Sequence, residues 1–101
     1  MILVRNVFRL KFGKAQEAVA LWKEGTAFLK KAGVGSMRVS TDLVAPFYTL
    51  VLETTHNSLA DFENFHKSHA GNPDWKKWYE KWVLLVESGH REIFTIIEQH
   101  P

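Results

Sequence analysis

The sequence predicts an α+β fold of ferredoxin-like order, βαββαβ, with a four-stranded antiparallel sheet and two helices on one of its faces. Three observations carry this. The first dozen residues alternate in polarity with a period of two. Two later stretches, from Ala15 and from Asn72, repeat at three and four residues. Branched and aromatic runs fill the remaining strand positions. With 101 residues, the chain is read as a single domain spanning 1–101.

In the first strand Ile2, Val4, Asn6, Phe8, Leu10 and Phe12 point one way, and Leu3, Arg5, Val7, Arg9 and Lys11 the other. After Gly13 the period changes. Ala15, Ala18, Val19, Trp22, Thr26 and Leu29 form a helical stripe that ends at Lys30-Lys31 and Gly33. "SMRVSTD" and "PFYTLVLETT", separated by "LVAP", read as a hairpin. Thr55 or Asn57 is the expected cap of the next helix, on which Leu59, Phe62 and His66 share a face until Gly71 interrupts it. Asn72 then caps a renewed helix with Pro73 in its first turn, where a missing N–H costs nothing. On that helix Trp75, Trp78, Tyr79, Trp82, Leu85 and Val86 fall on one stripe, and Lys76, Lys77, Glu80 and Lys81 lie off it. Gly89 is the expected helix stop, and "HREIFTIIEQ" the last strand.

Composition excludes several function classes. Thirteen basic against eleven acidic residues give a net charge of only +2, with no basic block to follow a nucleic-acid backbone. Without cysteine there is no disulfide, thiolate nucleophile or thiolate metal ligand. The charged N-terminus does not read as a signal peptide, and no run approaches the ~20 apolar residues of a membrane span. A cytoplasmic protein with neither nucleic-acid nor membrane partner is expected. No nucleophile triad, P-loop or dinucleotide-binding glycine pattern is present.

The sheet face away from the helices is read as half apolar, with Leu3, Val7, Val51, Ile93 and Ile97 beside Arg5, Arg9, Arg38, Glu53 and Arg91. Such a face calls for a partner sheet, so a homodimer packed through it is expected, with interface ion pairs as the role of Arg5, Arg9, Arg38 and Glu53.

The stretches "MILVRNVFRLKFGKAQEAVALWKE", "FENFHKSHAGNPDWKKW" and "GHREIFTIIE" together resemble the dimeric α+β barrel superfamily, which holds the antibiotic biosynthesis monooxygenase-like, NIPSNAP-like and haem-degrading families. The resemblance spans nearly the whole chain, through diffuse motifs. It implies a dimer and, in several members, oxidation of aromatic molecules without a cofactor.

Asn6 is the sharpest residue, because a carboxamide among inward apolar neighbours must find partners or cost ~1–3 kcal/mol. Either it bonds a helix-end backbone group or, as the resemblance implies, it lines a pocket and holds a substrate oxygen. Trp75, Trp78 and Trp82 read first as core. Trp75, beside the Gly71–Pro73 break, is the expected pocket wall, and Trp22 meets the same cluster. His66 and His69 have a ligand-capable spacing but no third ligand, and a solvated helix end explains them equally. His56, His90 and His100 are given no role. The haem-degrading pattern is met at Asn6 but departs at Phe65, where a tryptophan is expected, and in its histidine spacing.

The resulting expectation is a small dimeric oxygenase-like protein whose aromatic-lined pocket takes a planar hydrophobic ligand, with no tightly bound cofactor and no metal. Asn6 and His66 are its candidate catalytic residues, and Phe8, Trp22 and Trp75 its substrate contacts. A non-enzymatic binding or structural dimer is the alternative, and haem binding or degradation a further one.

Overall fold

The computed structural model describes residues 1–101 as β1 (Ile2–Leu10), α1 (Ala15–Lys31), β2 (Ser36–Thr41), β3 (Thr49–His56), α2 (Leu59–Ala70), α3 (Pro73–Val83) and β4 (Val86–Thr95). The strands form one sheet in the order β2-β3-β1-β4, with every neighbouring pair antiparallel. Val4, Leu10, Leu50 and Leu52 on the central strands are buried beneath the helices. This is the expected ferredoxin-like arrangement, with three helices rather than two. No helix is long and apolar enough to cross a membrane.

Local chemistry explains most element ends. Gly33, at φ +89°, lets Gly33 N–H reach Lys30 O at 3.2 Å and Val34 N–H reach Leu29 O at 3.3 Å, which closes α1 as the sequence predicts. Asn72 Oδ1 accepts from Asp74 N–H at 2.9 Å and starts α3. The cap of α2, however, is Ser58, whose Oγ accepts from Asp61 N–H at 3.1 Å, and not Thr55 or Asn57. Pairing of Ile2 with His56 keeps β3 extended through Thr55, whose hydroxyl instead lies 2.8 Å from Ser36 Oγ.

The stop of α3 also differs from the expected one. Helix α3 ends at Val83, because Lys11 N–H binds Leu85 O at 2.9 Å and Leu10 pairs with Val86, drawing the chain into the sheet. Gly89 is therefore a residue of β4, opposite Phe8, where a Cβ would stand 2.8 Å from Phe8 Cδ1. Phe12 leaves the strand row, is exposed, and meets Tyr48 with ring centroids 4.9 Å apart. On α1 the buried stripe is Ala18, Leu21, Trp22, Gly25 and Leu29, with Val19 turned outward.

An irregularity in the β1–β4 pairing, where Leu10 stands opposite Val86 but Arg9 opposite Ser88, moves the following side chains of β4 across the sheet. Arg91 and Ile93 stand opposite Asn6 and Val4 and so face the helices, contrary to the sequence reading, while His90, Glu92 and Phe94 face away. Ile97 lies beyond the strand. On the outer face the charges pair within the sheet: Arg38 with Glu53 at 3.9 Å, Glu53 with Arg5 at 4.0 Å, and Arg5 with Glu92 at 2.8 Å.

Helices α1 and α3 cross where Trp22, Trp78 and Trp82 meet, with Trp22 set edge-on to Trp78 at 4.6 Å and to Trp82 at 5.4 Å. Trp78 Nε1–H donates to Leu21 O at 2.7 Å. Gly25 permits this crossing, since a Cβ there would lie 2.6 Å from Trp78 Cζ2 and 2.9 Å from Trp22 Cε3. Alanine is favoured over glycine inside a helix by ~1 kcal/mol. The clash should nevertheless dominate, and Gly25→Ala is expected to cost ~1–3 kcal/mol in urea unfolding, the usual range for overpacking. A neutral or stabilising result would show that the helices can move apart freely.

Candidate functional site

Strand β4 is an edge strand that the helical layer covers incompletely. Ile93 remains 43% exposed although it faces the helices. Between this part of the sheet and helices α2 and α3 lies a cavity of about 600 Å³, within the range of small-molecule sites. The five sequence-predicted residues Asn6, Phe8, Trp22, His66 and Trp75 all border it. Asn6 and Phe8 come from β1, Trp22 from the α1–α3 crossing, His66 from the exposed side of α2, and Trp75 from the first turns of α3.

Asn6 does not bond a helix end. Its Oδ1 accepts from Arg91 Nε at 2.7 Å across the β1–β4 pairing, so its partner is a side chain the sequence reading had placed on the opposite face. The Arg91 guanidinium carbon lies 5.2 Å from the Phe62 ring centre, and no carboxylate stands within 4.0 Å of it. Lys76 also borders the cavity, and neither aspartate nor glutamate does. The site thus carries fixed positive charge between aromatic walls.

His69, which the sequence reading noted beside His66 without choosing it as a site residue, also borders the cavity. Its Nδ1 is 2.9 Å from Phe65 O, and because a carbonyl only accepts, Nδ1 carries the proton and Nε2 keeps the lone pair of the neutral ring. The ring sits between Phe65 and Trp75, each with its centroid 4.6 Å away, and His66 meets it edge-on at 5.4 Å. Burial holds the His69 pKa below the ordinary imidazole value. The Phe65 bond opposes this shift, and the nearby charges of His66 and Arg91 reinforce it. Such an imidazole is a neutral base at pH 7. No cluster of three or more His, Asp or Glu side chains is arranged to hold a metal ion.

His56, given no role by the sequence reading, is the buried last residue of β3, with Nε2 3.0 Å from Thr54 Oγ1. Burial lowers its pKa too, against the opposing pull of Asp61.

The fold has close counterparts among solved structures. A NIPSNAP family protein from Agrobacterium tumefaciens superposes with a TM-score of 0.90 at 22% identity, covering 99% of this chain and 96% of that one. A NIPSNAP domain protein from Burkholderia xenovorans gives 0.88 at 14%, covering 100% and 99%. An antibiotic biosynthesis monooxygenase gives 0.76 at 11%, covering 97% and 100%. This chain has their fold. It is the arrangement of a four-stranded antiparallel sheet under helices that the resemblance in sequence implies. No family model matches the sequence, and no curated protein matches it. At these identities the likeness extends to the fold and not to the site, so the chemistry has to be argued from this chain's own residues.

The two depressed histidines make stability depend on pH. Below roughly 6.5, the ordinary imidazole pKa, the unfolded chain binds protons at His56 and His69 that the folded chain resists. Their effect is therefore a loss of stability as pH falls from about 6.5 through the two folded-state values. Thermal unfolding from pH 7.5 to 5 should show a falling midpoint, with a shallower slope in His69→Gln. A slope unchanged by that substitution would show that the folded protein does not resist protonation of His69.

Proposed function

We propose that the cavity binds a planar hydrophobic molecule as its enolate, phenolate or similar anion, and that the chain is a small oxygenase-like enzyme acting without a tightly bound cofactor. The observation that carries this is the lining itself: aromatic walls, the cations Arg91 and Lys76, and no carboxylate. A cavity of this kind is suited to a flat anion and disfavours a cation.

His69 Nε2 takes a proton from an acidic C–H of the bound substrate. This places the base one helical turn beyond His66, the candidate from the sequence, which is exposed on α2 and can pass protons between His69 and solvent. Arg91, held by Asn6, stabilises the resulting anion where its charge develops. The electron-rich carbanion then adds dioxygen, and the peroxide recovers the proton. Loss of water leaves a carbonyl, so a CH₂ becomes C=O, with one oxygen atom in the product and the other in water. Both electron pairs come from the substrate, and no external reductant enters.

We further propose that the chain forms a homodimer through the outer sheet face. Phe94 is half exposed there beside Leu3, Val7 and Val51, and the Arg38–Glu53–Arg5–Glu92 ladder already pairs four of the charges that a partner would cover.

Anthrone, a planar ketone with an acidic CH₂, is a suitable probe. Under anaerobic conditions it should quench tryptophan fluorescence at micromolar concentration. Asn6→Ala and Arg91→Gln should each weaken binding about tenfold, equivalent to about 1.4 kcal/mol. On admission of oxygen, one O₂ should be consumed per anthraquinone formed, and His69→Gln should lower kcat by about 10²-fold or more. Binding without oxygen uptake would make the protein a carrier, a Soret band on haem titration would favour the haem reading, and no binding at all would refute the site.

For the dimer, sedimentation at micromolar concentration should give twice the chain mass. Val7→Glu with Val51→Glu, which place two carboxylates directly opposite each other on the outer face, should give a monomer. A wild-type monomer at high concentration would refute the interface.

A further inference from the structure

The loop between β2 and β3 displays apolar side chains that the fold of one protomer does not use. Leu43 is 96% exposed and Val44 94%, the two highest values among the large apolar side chains, and Phe47 follows at 72%. The run Leu43–Phe47 carries no charge. Single apolar residues scattered over a surface are ordinary, but three in one short loop mark a place of contact.

The loop is also held in one shape. Asp42 N–H binds Thr49 O at 3.1 Å, Asp42 Oδ1 accepts from Thr49 N–H at 2.9 Å, and Thr49 Oγ1 donates to Pro46 O at 2.7 Å. Tyr48, at φ +61°, takes a left-handed conformation that a bulky residue rarely adopts. Its carbonyl accepts from Leu10 N–H at 2.7 Å and its ring meets Phe12, so the strained turn is fixed to β1. Strain kept in place in this way preserves a particular presentation of the tip.

That presentation is toward the outer side of the sheet. Ala45 and Pro46 wall a groove of about 460 Å³ that Val7, Arg9 and Val51 of the outer face also line. The loop therefore stands at the β2–β3 corner of this face, beside the Arg9 end of β1. Diagonally across it, on β1 and β4, Leu3 is paired with the half-exposed Phe94, and the exposed Ile97 follows beyond the strand. Six residues of β1 separate Leu3 from Arg9, about 20 Å at ~3.4 Å per residue. The charged ladder of Arg38, Glu53, Arg5 and Glu92 crosses between the two apolar corners.

A face that meets its own copy about a two-fold axis must be self-complementary. An axis lying between the two sheets and running obliquely across the strands sets the loop of each protomer on the Leu3–Phe94 corner of the other. A lipid surface fits the loop less well, since Val39–Tyr48 contains an aspartate and neither lysine nor arginine to meet headgroup phosphates. We infer that the β2–β3 loop is an intersubunit arm, whose Leu43 and Val44 pack on the Leu3–Phe94 corner of a second copy of this chain. This rests on the proposed dimer and adds the relative orientation of its two sheets.

The chain has no cysteine, so Val44→Cys accepts a single nitroxide label. In dimers mixed with ¹⁵N-labelled wild type, the nitroxide should broaden the amide resonances of Leu3 and Phe94 in the unmodified chain and spare those of Ser40 and Thr41. Leu43→Ser with Val44→Ser, at positions open to solvent in the protomer, should raise the dimer dissociation constant about tenfold or more. The same pair placed in the Val7→Glu, Val51→Glu monomer should leave the unfolding midpoint unchanged. A wild-type dimer with no broadening at the Leu3–Phe94 corner, or with affinity unmoved by the serine pair, would overturn the arm and leave the outer-face interface standing. A wild-type monomer at high concentration would remove both. Cosedimentation with phosphatidylserine–phosphatidylcholine vesicles that the serine pair abolishes, with dimer affinity unchanged, would assign the loop to lipid and overturn the inference as well.

Discussion

The contact on which the rest of the structure depends is the seating of two indoles against one helical hydrogen atom. Gly25 leaves no side chain between α1 and α3, and Trp22 and Trp78 fill the space a Cβ would need. Large aromatic rings bring much apolar area to a small core, but they fit only where a neighbour yields volume. Here the glycine yields it in the middle of a helix, where its conformational freedom is a cost in itself. The Trp78 bond to Leu21 O then fixes the distance between the two helices.

From that contact the geometry of the cavity follows. Trp78 and Trp82 lie stacked along α3 at 6.0 Å, and Trp75 continues the stack at 4.7 Å toward the α2–α3 break. The same row of rings is therefore core at one end and wall at the other. Helix α2, separated from α3 by Gly71 and Asn72, brings His69 against Trp75. A continuous helix through this segment would carry residues 69 and 75 on different faces. The break is thus what allows an imidazole and an indole six residues apart to form one surface.

The two faces of the sheet solve the problem of charge differently. Outside, opposite charges alternate across all four strands and pair with each other, each pair contributing little by itself because solvent screens it. Inside, Arg91 has an amide and an aromatic ring for company but no counterion. A cation kept without a carboxylate at the edge of a cavity leaves its charge available to something that enters.

The types and order of the elements were legible in the sequence, because the period of polarity along a helix or strand is a local property. Asn72, Gly33 and the tryptophan row announced themselves through spacing and capping chemistry alone, and Asn6 through being a carboxamide in an apolar row. What only the tertiary structure decided were the choices made by pairing. Where α3 yields to β4 depends on Lys11 binding Leu85 O, a contact between residues far apart in the chain. The irregularity of the β1–β4 pairing between Arg9 and Leu10, where β4 takes one extra residue, puts Arg91 on the helix side as the partner of Asn6, since a strand's faces exchange with each one-residue slip. His69 gained its tautomer from Phe65 O and its depressed pKa from burial, neither of which a residue spacing can express. Periodicity says which side chains travel together, but the face they meet is set by hydrogen bonds between strands.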